Sequence, residues 1–222
     1  MSNELKKRII TSVFLFAILF LSISINKAIF TFTIFIVSAV CFHEWNDINI
    51  PYFFKKKKKV MLFIQLLGLV YLFIFFISSL AIYNSIGEFF LIFILFVCAC
   101  SDIGGYIFGR SIGGKKLTKI SPNKTIAGSI GSFILSLVPL LLLNFQSYFV
   151  LNFNLSLKNI LFCLIISLCC QLGDLTISYI KRLNKIKNTG NILPGHGGLL
   201  DRIDGIIFAL PVTYILKLLQ IF

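Results

Sequence analysis

Apolar residues run along this chain in unbroken blocks, and polar residues collect between the blocks instead of alternating within them. Crossing about 30 Å of hydrocarbon takes a helix of about 20 residues, and a window of that length predicts seven spans. They cover 9–25, 28–42, 60–83, 89–100, 127–145, 157–172 and 203–222. The second and fourth are short for clean spans and are expected to tilt little, to thin the bilayer locally, or to enter it partway. The expected fold is all-α, a polytopic integral membrane helix bundle of about seven transmembrane helices. Residues 1–100 form an N-terminal membrane-spanning region and 101–222 a C-terminal region in which the polar residues concentrate.

Composition strengthens this reading. Hydrophobic residues make up 58% of the 222 and charged residues only 13%, whereas a soluble domain carries about 25% charge. The cations then test the segmentation. Lys6, Lys7 and Arg8, Lys55 to Lys59, Arg110, Lys115, Lys116, Lys119 and Lys124, and Lys181, Arg182, Lys185, Lys187 and Arg202 all fall on one side if every segment crosses; they are eighteen of the twenty-one basic residues. That is the positive-inside pattern of a cytoplasmic N-terminus, so the expected location is the cell inner membrane, multi-pass. A net charge of +13 is thereby explained by topology. The basic residues flank spans and form no basic domain, which argues against a nucleic-acid partner, and the lipid bilayer is the expected one. The N-terminal basic start lacks a small-x-small cleavage pattern after its long apolar run, so an uncleaved first helix is expected. The six cysteines sit in or beside apolar segments and read as small hydrophobes.

Two polar stretches carry candidate chemistry. The first, 101–124, contains six glycines or prolines among several cations and reads as a basic, glycine-hinged loop. Gly114-Lys115 within it is a near miss to a phosphate-binding loop, with Lys116 where the magnesium-binding hydroxyl belongs and no strand ahead of it. At its end Ser121-Pro122-Asn123-Lys124-Thr125 sets two hydroxyls and a cation beside a rigid proline.

The second stretch, 171–204, is denser. If 157–182 is one helix, Asp174, Ser178 and Lys181 or Arg182 recur about once per turn and share a face. The turn Pro194-Gly195-His196-Gly197-Gly198 has the glycines needed to aim backbone N–H groups at an anion. Asp201 and Asp204 follow at a spacing that projects them from nearly one side of the last helix, so that with Asp174 they could form an oxygen-rich site for magnesium. Helix capping is the simpler role for any one of these acids. It explains neither the glycine turn nor three acids beside a bilayer, each costing about 2.5–3.5 kcal/mol at the midplane. His43-Glu44-Trp45, after the second span, reads as an interfacial anchor or as a supporting part of the site, the anchor being favoured because tryptophan suits that depth.

Ser178-x-x-Lys181-Arg182, Lys187, Pro194-Gly195-His196-Gly197-Gly198 and Asp201-Arg202-x-Asp204 together resemble the signature of the phosphatidate cytidylyltransferases, or CDP-diacylglycerol synthases. Gln171-x-Gly173-Asp174, the Ser121 to Thr125 run, Asp102 and Gly109-Arg110 resemble further blocks of that family in order and spacing. Asn188 replaces its usual aspartate, and Ile126-Ala127 its frequent Trp-Glu.

The resemblance implies an enzyme that transfers CMP from CTP to phosphatidic acid for phospholipid synthesis, with active-site loops on the cytoplasmic side. It implies metal binding by Asp174, Asp201 and Asp204, with Mg2+ and a second cation, K+, as cofactors. Lys181, Arg182 and His196 join Asp174 and Asp201 as catalytic candidates, and Ser121, Lys124, Thr125, Ser178, Lys187, Gly197, Gly198 and Arg202 as substrate-binding candidates. A homodimer is the expected assembly. Three alternatives stand beside this one: a CTP-dependent polyprenol or lipid kinase, which moves a γ-phosphoryl group; a membrane transporter without nucleotide chemistry; and a catalytically inactive relative, suggested by Asn188 and Ala127.

Overall fold

The computed structural model describes residues 3–53, 58–118, 121–122, 124–145, 155–186, 188–190, 192–193 and 197–221. Among them the regular elements are eight α-helices: α1 Asn3–Ile25, α2 Lys27–Phe53, α3 Lys58–Ser85, α4 Glu88–Ser111, α5 Ile126–Leu135, α6 Val138–Phe145, α7 Leu157–Leu183 and α8 Leu200–Leu218. A helix satisfies its own backbone groups, which is the condition for crossing hydrocarbon. Large apolar side chains such as Phe14, Phe32, Phe63, Phe73 and Tyr106 are exposed, while the fully buried positions include small hydroxyls at Ser79, Ser101, Ser136 and Ser167. This distribution, apolar outside and small polar groups inside, suits lipid as the surrounding solvent.

Five helical segments among the described residues are long and apolar enough to span a bilayer: Lys27–Ile48, Leu62–Ser85, Glu88–Ser111, Ile126–Asn144 and Leu157–Leu183. Phe14–Ile25 is apolar but shorter. The two segments expected to be short are full-length, because α2 continues through Glu44 and Trp45 and α4 through Ser101 to Ser111. The sequence reading placed a loop from residue 101; the structure instead keeps Gly104, Gly105 and Gly109 inside a helix. The span expected at 127–145 is helical but broken at 136–137. Pro139 has no N–H to offer the Leu135 carbonyl, and Leu137 N–H turns to Ile134 O (3.3 Å).

The chain forms two compact units. The first comprises Met1–Leu80 with Ile180–Ile203. In it α1 packs on α2, whose start is capped by Asn26 Oδ1 accepting from Ile29 N–H at 2.8 Å. Trp45 Nε1 donates to the Ile64 carbonyl (3.1 Å) and its indole covers Gly68, where a Cβ would collide with the ring.

The second unit comprises Ala81–Tyr179 with Asp204–Phe222. Its α4 and α5 meet backbone to backbone, since a Cβ on Gly104 would strike the Gly131 carbonyl and one on Gly128 would lie 2.7 Å from the Gly105 carbonyl. A polar thread crosses the same unit: Ser129 Oγ donates to Gln171 Oε1 (2.5 Å), Gln171 Nε2 to Ser167 Oγ (3.4 Å), and Ser167 pairs with Ser101 (2.8 Å). Gly173 and Gly205 bring α7 and α8 together, a Cβ on Gly205 lying 3.2 Å from Cys170 Cα. These contacts hold the residues before and after Asp174 in place.

Candidate functional site

In the second unit α7 is continuous, so the one-turn spacing expected of Asp174 and Ser178 becomes a contact: Ser178 Oγ donates to Asp174 Oδ1 at 3.2 Å. Asp174 Oδ2 meets Lys124 Nζ at 2.5 Å. Lys124 is delivered by a pinned loop. Gly113 and Gly114 reverse the chain at φ of 65° and 90°, values that favour glycine. Leu117 N–H then donates to Lys124 O (2.8 Å) and Ile126 N–H to Lys115 O (3.0 Å). Thr125 caps α5, its hydroxyl accepting from Gly128 N–H at 3.0 Å. The Ser121 carbonyl accepts from Lys124 N–H at 3.1 Å. Asp102 on α4 lies within the electrostatic reach of both Asp174 and Lys124. Asp204 belongs to this unit as well, with its Oδ1 accepting from Gly205 N–H at 2.8 Å.

The first unit holds the other half of the polar residues. Lys181 Nζ lies 2.6 Å from Asp201 Oδ1, with side chains 14% and 8% exposed. The second carboxylate oxygen of Asp201 accepts from Thr189 N–H at 2.8 Å. Arg182 and Arg202 are exposed. Gly197 sits at φ 90° and exchanges backbone hydrogen bonds with Leu193 in both directions (2.9 and 3.1 Å). Its N–H therefore serves the hairpin, which corrects the expectation that it faces an anion. Gly198 is buried, and a Cβ there would overlap Thr189 Oγ1. Lys187, Pro194, Gly195 and His196 lie outside the described residues.

Two residues have contacts that the sequence alone does not supply. Of the two readings for His43-Glu44-Trp45, the favoured one, an interfacial anchor, does not suit Glu44, which is 1% exposed and accepts from Thr189 Oγ1 (3.0 Å), Leu199 N–H (2.8 Å) and Leu200 N–H (2.8 Å). Thr189 bridges it to Asp201. The available signal was an acid on the helix that continues a long apolar run, which lipid tolerates only when partnered. His43 does behave as a surface residue, pairing with Asp47 at 3.1 Å.

Among the described residues no three His, Cys, Asp or Glu side chains form a group able to hold a metal. The donor chemistry nevertheless suits a hard cation: Asp174 and Asp201 are carboxylates, each already neutralised by a lysine ammonium where a metal ion would otherwise supply positive charge. Cysteine is absent from both clusters, and the six cysteines are free and buried elsewhere.

Comparison with known proteins covers most of this ground. A family model described as the cytidylyltransferase family matches residues 50–220. A protein of Staphylococcus saprophyticus named phosphatidate cytidylyltransferase is 45% identical over 141 residues, 62% of this chain and 52% of its own length. Proteins of the same name from Staphylococcus haemolyticus and Staphylococcus aureus are each 46% identical, over 135 and 136 residues, 60% of this chain and 50% of theirs. The chain spans about half the length of the curated relatives it matches. The family match takes in α3 to α8 and both lysine–carboxylate pairs, Lys124 with Asp174 and Lys181 with Asp201, and on that extent the chain belongs to the cytidylyltransferase family.

Proposed function

We propose that this protein transfers CMP from CTP to phosphatidic acid, giving CDP-diacylglycerol and pyrophosphate at the cytoplasmic face of the cell inner membrane, where it works as a homodimer of chains with about seven spans. The observation that carries the reading is the pairing of acids with lysines in the matched segment, Lys124 on Asp174 and Lys181 on Asp201. An anionic lipid phosphate meeting an anionic triphosphate needs cations for both and carboxylates to hold a metal between charges. The relatives' shared name supports the same reaction.

A lipid phosphate oxygen attacks the α-phosphorus of CTP, the bond from that phosphorus to the β-phosphate bridge breaks, and pyrophosphate leaves. When bound, magnesium, with K+ as a second cation, would supply positive charge to offset that on the reacting and leaving oxygens. Asp174 and Asp204 in the second unit and Asp201 in the first are the candidate ligands. Lys124 and Lys181 trade their carboxylates for phosphate oxygens as substrate arrives, with Arg182, Lys187 and Arg202 adding positive charge and Ser178, Ser121 and Thr125 adding hydroxyls. From the glycine turn, Gly198 and His196 remain candidates for phosphate contact, His196 lying outside the described residues, while the Gly197 N–H is taken by Leu193. The nucleophile is already ionised at neutral pH, so no general base is required of His196.

The test is a product assay. Purified protein given phosphatidic acid, CTP and Mg2+ should yield a lipid heavier by CMP together with one equivalent of pyrophosphate, and EDTA should stop both. A lipid gaining one phosphate would establish the kinase instead, and solute flux in liposomes without CTP turnover would establish a transporter.

A further inference from the structure

Among the described residues, no hydrogen bond from a neighbouring side chain caps the N-terminus of α8. Helix starts favour Ser, Thr, Asp or Asn at the position before the first turn, and Leu199 stands there. Its N–H and that of Leu200 would be left unpaired, yet both donate at 2.8 Å to the carboxylate of Glu44, which comes from α2, 155 and 156 residues away in sequence. A negative charge at this place also matches the positive end of the helix dipole. Glu44 is 1% exposed and Thr189 3%. Gly190 presses against the carboxylate, where a Cβ would lie 2.8 Å from Glu44 Oε1, and one on Gly198 would lie 2.5 Å from Glu44 Oε2. From this plug a second link runs onward: Thr189 gives its hydroxyl to Glu44 (3.0 Å) and its N–H to Asp201 Oδ2 (2.8 Å), while Lys181 holds Asp201 Oδ1 (2.6 Å). All of these residues lie in one compact unit.

We propose that Glu44 and Thr189 are positioning residues for the reaction. Glu44 fixes the start of α8 and the turn before it, and Thr189 relays that constraint to the carboxylate of Asp201. The inference rests on the proposed cytidylyl transfer for its kinetic arm alone; its structural arm stands without it. A plain helix cap would explain the bonds to Leu199 and Leu200. It would not explain why the residue that binds Glu44 through its hydroxyl also orients Asp201 through its amide.

The variants are Glu44→Gln, Thr189→Val, which removes only the hydroxyl link, and Thr189→Ser, which keeps it. Hydrogen exchange of the full chain in detergent should show faster exchange across 197–203 in Glu44→Gln and Thr189→Val, with 88–111 unchanged and Thr189→Ser like the parent. In the CTP assay, kcat should fall about 10–100-fold in Thr189→Val, the usual size for losing a group that orients a site ligand, with a smaller change in KM. Thr189→Ser should restore it. Unchanged exchange at 197–203 in both altered variants overturns the inference, as does a Thr189→Ser enzyme no better than Thr189→Val. If the parent protein makes no CDP-diacylglycerol, the proposed function falls and the exchange data alone decide this one.

Discussion

Lys124 Nζ lies 2.5 Å from Asp174 Oδ2, and the two side chains keep 25% and 36% of their surface exposed. An ion pair that wet adds only about 0–1 kcal/mol to stability. The loop that delivers Lys124, with its two positive-φ glycines and paired strand-like bonds, is more elaborate than such a gain requires. Lys124→Met should therefore lower the melting temperature by less than about 4 °C in a chain of this size. Product formation should fall roughly 100-fold, the usual loss for one charge-stabilising donor. Thermal unfolding in detergent and the CTP assay, run on one preparation, check both halves.

Lys181 and Asp201 are the contrasting case, since their side chains are 14% and 8% exposed. Removing one partner of a buried pair costs about 3–5 kcal/mol, because the other charge is left alone. Lys181→Met should lower the melting temperature by roughly 10 °C. Adding Asp201→Leu to it should recover part of that loss, short of all, because Thr189 N–H then lacks its acceptor. The double variant should stay inactive, and recovery of CDP-diacylglycerol synthesis would show that Asp201 has only a structural role.

The seam of α4 and α5 makes a prediction about folding alone. A Cβ on Gly131 would strike the Phe108 ring and lie 2.8 Å from the Gly104 carbonyl. Gly131→Val should cost about 1–3 kcal/mol by overpacking and reduce the yield of folded protein on size-exclusion chromatography. Ile130→Val, the next residue and an exposed one, should not.

The distribution of cations is the basis for the proposed orientation. The proposed cytoplasmic N-terminus places Lys115 inside and Asn84 outside. The native cysteines are buried, so they contribute little background to thiol labelling. In intact cells an impermeant maleimide should modify Asn84→Cys and spare Lys115→Cys, and the reverse pattern would invert the topology.

Much of this was legible in the residue order, and the failures share a cause. Long apolar runs marked the helices, and regular spacing put Ser178 one turn from Asp174, because both signals are local. Glycine is ambiguous in the same local view. Gly104, Gly105 and Gly109 read as helix breakers, whereas they are the places where another helix comes close, a fact that depends on Gly128 and Gly131. Glu44 is ambiguous between anchor and site support for a similar reason: its partners lie 145 to 156 positions away, and nothing near it in sequence announces them. The Gly197 turn was read by its conformational freedom, which is real, but the destination of its N–H was set by Leu193 across the hairpin.

Where α4 and α5 approach so closely that a glycine on one faces a carbonyl of the other, a larger residue meets backbone that no change of rotamer can move. Neutral drift is closed at residues 104 and 131, while Ile103, Tyr106 and Ile107, one to three positions away and facing outward, remain free to wander among apolar side chains. Two rates of substitution should thus coexist within a single turn of helix, the slower one recording the neighbour and the faster one the lipid.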